Sequence, residues 1–126
     1  MTGLHLTKAV QAILADAGIL NAYAVVAEEK TPQPFALYRR ASLVVDDTKD
    51  RLLQTQHATL SVQVTSNDYD DGLLLADAIT DALVNCAGTF EGVVIGGISL
   101  TDASEIYNET SYLQDLTFDI EIDNNG

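Results

Sequence analysis

The chain reads as an α+β domain: one antiparallel-dominated sheet of about five strands with two helices packed on one face, in the order α-β-β-β-α-β-β. Three observations predict it. Ala58, Leu60, Val62 and Val64 alternate with Thr59, Ser61, Gln63 and Thr65, the period of a half-buried strand. Leu75, Ala76, Ile79, Ala82, Leu83 and Cys86 then recur at three- and four-residue spacing, the stripe of an amphipathic helix. Near the end Leu116, Phe118, Ile120 and Ile122 alternate with Asp115, Thr117, Asp119 and Glu121, a strand with one buried and one acidic face. Strands joined as hairpins with helices between them argue for α+β rather than a doubly wound parallel sheet.

The elements follow in order. Leu6, Ala9, Val10, Ile13, Leu14 and Ala17 form the first helical stripe, with Lys8 and Asp16 on its wet side and Gly18 as its stop. Ala22 to Ala27 reads as a short strand. Pro32 and Pro34 rigidify the next connection and feed an extended segment from Phe35 to Val45. The polar stretch Asp46 to Asp50 makes a turn, so this segment and the strand from His57 to Thr65 form a hairpin. Leu52 and Leu53 sit near its tip beside Lys49 and Arg51. Either the strands extend through them or the tip packs on another chain.

Ser66-Asn67-Asp68 caps the second helix. Asp70 and Asp71 complement the dipole of its first turn, and Gly88 is placed to end it. Thr89 to Thr101 reads as one bent strand with a complication at Gly96-Gly97, a turn or a bulge. Asp102 to Ser111 reads as a polar loop. Residues 124 to 126 read as a frayed end.

At 126 residues a single domain spanning 1–126 is the default, long enough for one ordinary core. No apolar run approaches the roughly 20 residues that span a bilayer. The N-terminus lacks the features of a signal peptide, which implies synthesis in the cytoplasm. One cysteine excludes an intrachain disulfide, and Cys86 lies on an apolar stripe as a packed residue.

The formal net charge of −13 is unevenly placed. All six basic residues (Lys8, Lys30, Arg39, Arg40, Lys49, Arg51) lie in the first 51 positions, together with six of the nineteen acids. The remaining thirteen acids fall after Leu52, with no Lys or Arg. This pattern fits a solvated acidic surface or a head-to-tail association of copies. Tight binding to duplex nucleic acid is disfavoured, because it needs clustered cations.

Candidate chemistry is sparse. His5 and His57 lie in different elements, and no H-x-x-x-H or C-x-x-C spacing exists for zinc. Asn67 to Gly72 fails the calcium-loop pattern: with Gly72 in the glycine position, Ala78 stands where the closing glutamate is needed. The glycines at 92, 96 and 97 make no phosphate loop, and no nucleophile elbow is present. No cofactor and no enzymatic activity are expected. Arg39 and Arg40 either meet acids of a neighbouring chain or are solvated.

The order and spacing of several weak motifs resemble a known family. They are the Pro-rich entry Thr31-Pro32-Gln33-Pro34-Phe35-Ala36-Leu37-Tyr38, a polar tip with Thr48-Lys49 and the strand Ala58-Thr59-Leu60-Ser61-Val62-Gln63-Val64-Thr65-Ser66. The cap Asn67-Asp68-Tyr69-Asp70-Asp71-Gly72 and a closing strand from Leu116 to Ile122 follow. The pattern resembles the tail completion, or tail terminator, proteins of long-tailed bacteriophages and prophages. The resemblance implies a virion tail protein made in the host cytoplasm. It implies a ring, typically hexameric, that caps the tail tube and meets head-completion proteins. It also implies that DNA passes the ring without binding tightly, and that no membrane is involved. The hairpin between the second and third strands is similar to the family element that mediates subunit contacts. The expected subunit interface is therefore Lys49, Arg51, Leu52 and Leu53, with Arg39 and Arg40 second. A head-completion protein and a small ferredoxin-like ligand-binding module are the alternatives.

Overall fold

The computed structural model describes residues 2–25, 32–45, 55–84 and 86–123. A short 3-10 turn, Thr2–His5, leads into α1, Leu6–Asp16. Then come β1 (Ala22–Ala24), β2 (Phe35–Val45), β3 (Thr55–Ser66), α2 (Tyr69–Val84), β4 (Gly88–Phe90), β5 (Val93–Asn108) and β6 (Ser111–Asp123). The six strands form one sheet in the order β1-β2-β3-β6-β5-β4.

The α+β architecture agrees with the sequence expectation, but the sheet is mixed and has six strands rather than about five. β1 runs parallel to β2, while the other four pairings are antiparallel. Asn21 fixes the parallel edge. Its carbonyl accepts from the Ala36 N–H at 2.9 Å, and its side-chain amide donates to the Pro34 carbonyl at 2.9 Å. Val25, at φ 66, follows β1 and donates its N–H to the Tyr38 carbonyl at 2.8 Å.

α1 ends as its sequence requires. Gly18 takes φ 79, its N–H reaches the Ala15 carbonyl at 3.0 Å, and the Ile19 N–H reaches the Leu14 carbonyl at 2.9 Å. Both orphan carbonyls are thereby satisfied by a Schellman turn. α2 begins at the expected cap. Asp68 Oδ1 accepts from the Asp71 N–H at 3.1 Å. Ser66 Oγ braces the turn by accepting from the Asp68 N–H and donating to the Asp68 carbonyl.

Gly88 does not stop α2. The helix ends at Val84, and Gly88 pairs with Ile95 in β4. The chain reverses instead at Glu91 and Gly92, at φ 50 and 79, where two positive φ angles make a tight hairpin turn whose twist suits the flanking strands. Gly96-Gly97 is a bulge inside β5, where the pairing with β6 shifts register between Ile95 and Gly97. The stretch from Asp102 to Asn108 is not a loop. It continues β5 as far as a two-residue turn at Glu109-Thr110, with Asn108 opposite Ser111. Its side chains are exposed and mix polar with apolar residues without alternation, and that hid the strand.

Both helices pack on one face of the sheet, α2 against β2, β3, β5 and β6, and α1 against α2, β1, β2 and β4. The core lies between them. Leu6, Val10, Ile13 and Leu14 of α1 and Leu75, Ile79 and Leu83 of α2 cover Tyr38, Leu60, Val62, Phe118, Ile120 and Ile122. Burial pushes the Tyr38 phenol above its ordinary pKa. Burial of the Phe118 side chain alone contributes roughly 1.5–3 kcal/mol.

Candidate functional site

The site is sought on the surfaces the core leaves free. Helices cover one face of the sheet, so the other face is the first. Along β6 the side chains of Gln114, Leu116, Phe118, Ile120 and Ile122 are buried under the helices. Alternation therefore turns Asp115, Thr117, Asp119, Glu121 and Asp123 outward. Four carboxylates thus lie in a row on the uncovered face, beside Thr59, Ser61 and Gln63 of β3. Among the described residues the one ion pair on this face is His57 Nδ1 to Asp119 Oδ2 at 3.7 Å, half-exposed on both sides, and it holds only when the imidazole is protonated.

Arg39 belongs to this same face. It stands opposite Ser61, beside a shallow groove of about 260 Å³ that Leu37, Gln63 and Asp115 also line. Arg40 does not share it. Arg40 stands opposite buried Leu60, on the helix-covered side of β2. The two arginines, adjacent in sequence, therefore point to opposite faces of the sheet.

The second free surface is the far end of the β5–β6 hairpin. Every residue from Ser99 to Asn108 is exposed. Tyr107 and Tyr112, opposite each other in register, stack with ring centroids 4.8 Å apart. Tyr69, the first residue of α2, meets Tyr112 edge-on at 5.5 Å. The Tyr69 hydroxyl donates to Glu105 Oε2 at 2.8 Å, and the Gln114 amide donates to the same oxygen at 2.8 Å. These two bonds, Gln114 first, hold the Glu105 carboxyl below its ordinary range. Glu105 in turn raises the Tyr69 phenol. The result is an aromatic cluster beside the Glu109-Thr110 turn, at the tip of the β5–β6 hairpin.

The remaining expected interface residues, Lys49, Arg51, Leu52 and Leu53, lie outside the described residues. The structure describes the hairpin that carries them only up to its stem, where Val45 pairs with Gln56. The aromatic arm went unnoticed in the sequence because Asp102 to Ser111 read as a loop. The available signal was Ile106-Tyr107 and Tyr112, strand-forming residues flanking Asn108-Glu109-Thr110.

Among the described residues no group of three or more His, Cys, Asp or Glu could hold a metal ion. Within them no helix is long and apolar enough to cross a membrane. Among the described residues these surfaces are a carboxylate face with one arginine on it and an exposed aromatic hairpin tip.

Comparison with known proteins gives this arrangement a family. No curated protein matches the chain. Its fold is similar to that of a chain in the virion of a native gene transfer agent (GTA) particle. The TM-score is 0.74 at 18% identity, over 94% of this chain and 95% of that one. Residues 4–122 match the family model described as tail completion protein gp17. The match spans every described element from α1 to Ile122 in β6, and the chain therefore belongs to the gp17 family of tail completion proteins.

Proposed function

We propose that this structural tail protein is a non-enzymatic ring subunit that caps the tail tube and joins it to the head. The family match over residues 4–122 carries the reading. The surfaces support it. A ring needs two different patches per subunit that fit each other. The chain supplies Arg39 on β2, at one side of the sheet, and the acidic β5–β6 arm at the other. The ring is hexameric by resemblance to the family, with the tail tube protein and a head-completion protein as its neighbours.

The carboxylate face of β6 has a role in such a ring. Turned toward the lumen, Asp115, Asp119, Glu121 and Asp123 repel phosphates and let DNA pass without sticking. The chain then binds duplex DNA no more tightly at low salt than at high salt. Tight, salt-sensitive DNA binding would sink the lumen assignment.

The test of the function is assembly with purified tail tube protein, followed by electron microscopy. Tubes of limited length with added density at one end are expected. Tubes that grow unchecked, with no bound chain, reject the reading. Binding to the head-side adaptor alone, without tubes, would favour a head-completion role.

A further inference from the structure

The outer edge of β5 is open. β4 pairs only with Val93, Val94 and Ile95, so among the described residues no strand lies on that side of β5 from Ile98 to Asn108. Natural sheets blunt so long an edge with lysine, proline, a bulge or a cover. This one has no lysine or proline, and past Ile98 its one interruption is the bulge between Leu100 and Asp102. It instead exposes Leu100 by 40%, Ile106 by 51% and Tyr107 by 58%, which is the composition of a strand made to be covered. β2 is open on the opposite side of the sheet. β1 pairs only with Ala36, Leu37 and Tyr38, and among the described residues no strand lies beside Arg39 to Val45 on that side.

We propose that the open β5 edge of one copy pairs, antiparallel, with the open β2 edge of the next, so that the sheet continues from subunit to subunit. The occupant of the β5 edge is a second copy of this chain. Its closure into a ring rests on the function proposed above; the pairing itself rests on strand direction, charge and level.

Direction comes first. β2, β3, β6 and β5 alternate in direction, so β5 runs opposite to β2. Rotation about an axis along the strands preserves direction. The β5 edge therefore meets a rotated β2 edge in antiparallel fashion, as backbone pairing favours.

Charge selects β2 over β5 as the mate. The β5 edge carries Asp102 and Glu105 and no base, while β2 carries Arg39 and Arg40 and no acid. Two β5 edges related by a twofold axis would set their acids against each other, and two β2 edges their arginines. Only the heterologous pairing joins unlike charges, and heterologous pairing is what builds rings.

Level sharpens it. Arg39 stands opposite Ser61, Ser61 opposite Thr117, and Thr117 opposite Asp102, all on the uncovered face. A rotation without rise leaves Arg39 at the level of the neighbour's Asp102, where the two side chains form an intersubunit pair.

The test is self-association of the full chain by sedimentation velocity at low salt, from micromolar to near-millimolar. Arg39→Glu and Asp102→Arg each weaken assembly at least about tenfold, and the double charge swap restores it. Ala103→Pro probes the backbone. Asn108 and Ser111 close a two-residue turn as a hydrogen-bonded pair, so alternation turns the Ala103 N–H away from β6. Proline there leaves the β5–β6 ladder whole and removes an outward donor, so assembly is lost while circular dichroism is unchanged. If Ala103→Pro does not fold, the charge swap decides alone. Rings that form regardless of these variants overturn the pairing and keep the ring. Open chains or dimers sensitive to all of them keep the pairing and overturn the ring. Arg39→Glu assembling normally while Ala103→Pro does not means β5-to-β5 dimers, and it overturns the heterologous mate. A parent chain that stays monomeric throughout overturns the self-pairing.

Discussion

The Tyr69 phenol donates a 2.8 Å hydrogen bond to Glu105 Oε2, and this bond ties the first turn of α2 to the β5–β6 arm. Gln114, on the partner strand, donates to the same oxygen. The tip of the hairpin is thus held against α2 by one carboxylate and by Tyr69 meeting the stacked pair Tyr107 and Tyr112.

The Tyr69–Glu105 bond has a pH window. The Glu105 pKa is lowered, first by Gln114 and then by Tyr69, so its contribution is complete above the ordinary carboxylate pKa and disappears as pH falls through the lowered value. The Tyr69 pKa is raised by Glu105, so the phenol's contribution is complete below the ordinary tyrosine pKa and disappears as pH rises through the raised value. Tyr69→Phe removes one of the two donors. The Glu105 pKa then rises but stays below the ordinary range, because Gln114 remains. Side-chain carboxyl NMR titration of Glu105 in both proteins measures it; an unchanged Glu105 titration would show that the hydroxyl does not bond the carboxylate in solution.

Most of the fold was legible because its core follows simple periods. Leu6, Ala9, Val10, Ile13 and Leu14, and Leu75, Ala76, Ile79 and Leu83, are buried as their spacing requires. So are the inward residues of β3 and β6. The misreadings have separate causes. Asp102 to Asn108 forms a strand exposed on both sides, so no alternation of polarity marks it. The turn at Glu91-Gly92 needs a glutamate at positive φ, which nothing in its side chain announces. The parallel β1–β2 pair depends on Asn21 and on a connection whose path leaves no periodic trace. As for the candidate site, the sequence left Arg39 and Arg40 alike, either meeting acids of a neighbouring chain or solvated. That Arg40 faces the other way followed only from strand register.

Gly18 tests the end of α1. Its φ of 79 lies in the left-handed region, and a Cβ there would meet nothing within 4 Å. The cost of Gly18→Ala is therefore backbone strain alone, about 1 kcal/mol. A fall in Tm of about 3–5 °C is expected for a domain of this size. A Tm that stays unchanged or rises would mean that the turn relaxes out of the left-handed region.

Cys86 tests the packing between the helices and the sheet. Its thiol pKa is raised, first by burial and then by the negative charge of Asp16. The thiolate is the reactive form, so an aromatic disulfide reagent at pH 8 reacts more slowly with the folded chain than with the unfolded one. Asp16→Asn, on the exposed face of α1, removes the smaller cause and speeds the reaction modestly. Equal rates in folded and unfolded protein would show that the thiol is neither buried nor opposed by charge.

Gln56 is the one polar side chain in the described core whose atoms find no partner. It is fully buried on the helix-covered face of β3, opposite Ile122, and neither Oε1 nor Nε2 makes a hydrogen bond. Burying an amide without a partner costs about 1–3 kcal/mol, more than a single satisfied hydrogen bond returns. Methionine has nearly the same length and flexibility and no polar head, so it fills the same space without the desolvation cost. Gln56→Met therefore stabilises the chain by about 1 kcal/mol and raises Tm by about 3–5 °C. Urea denaturation with an unchanged slope would assign the gain to the folded state. A loss of stability would mean that the amide has a partner in solution. A partner in the neighbouring subunit is separable from one within the chain, because the loss would then grow with protein concentration.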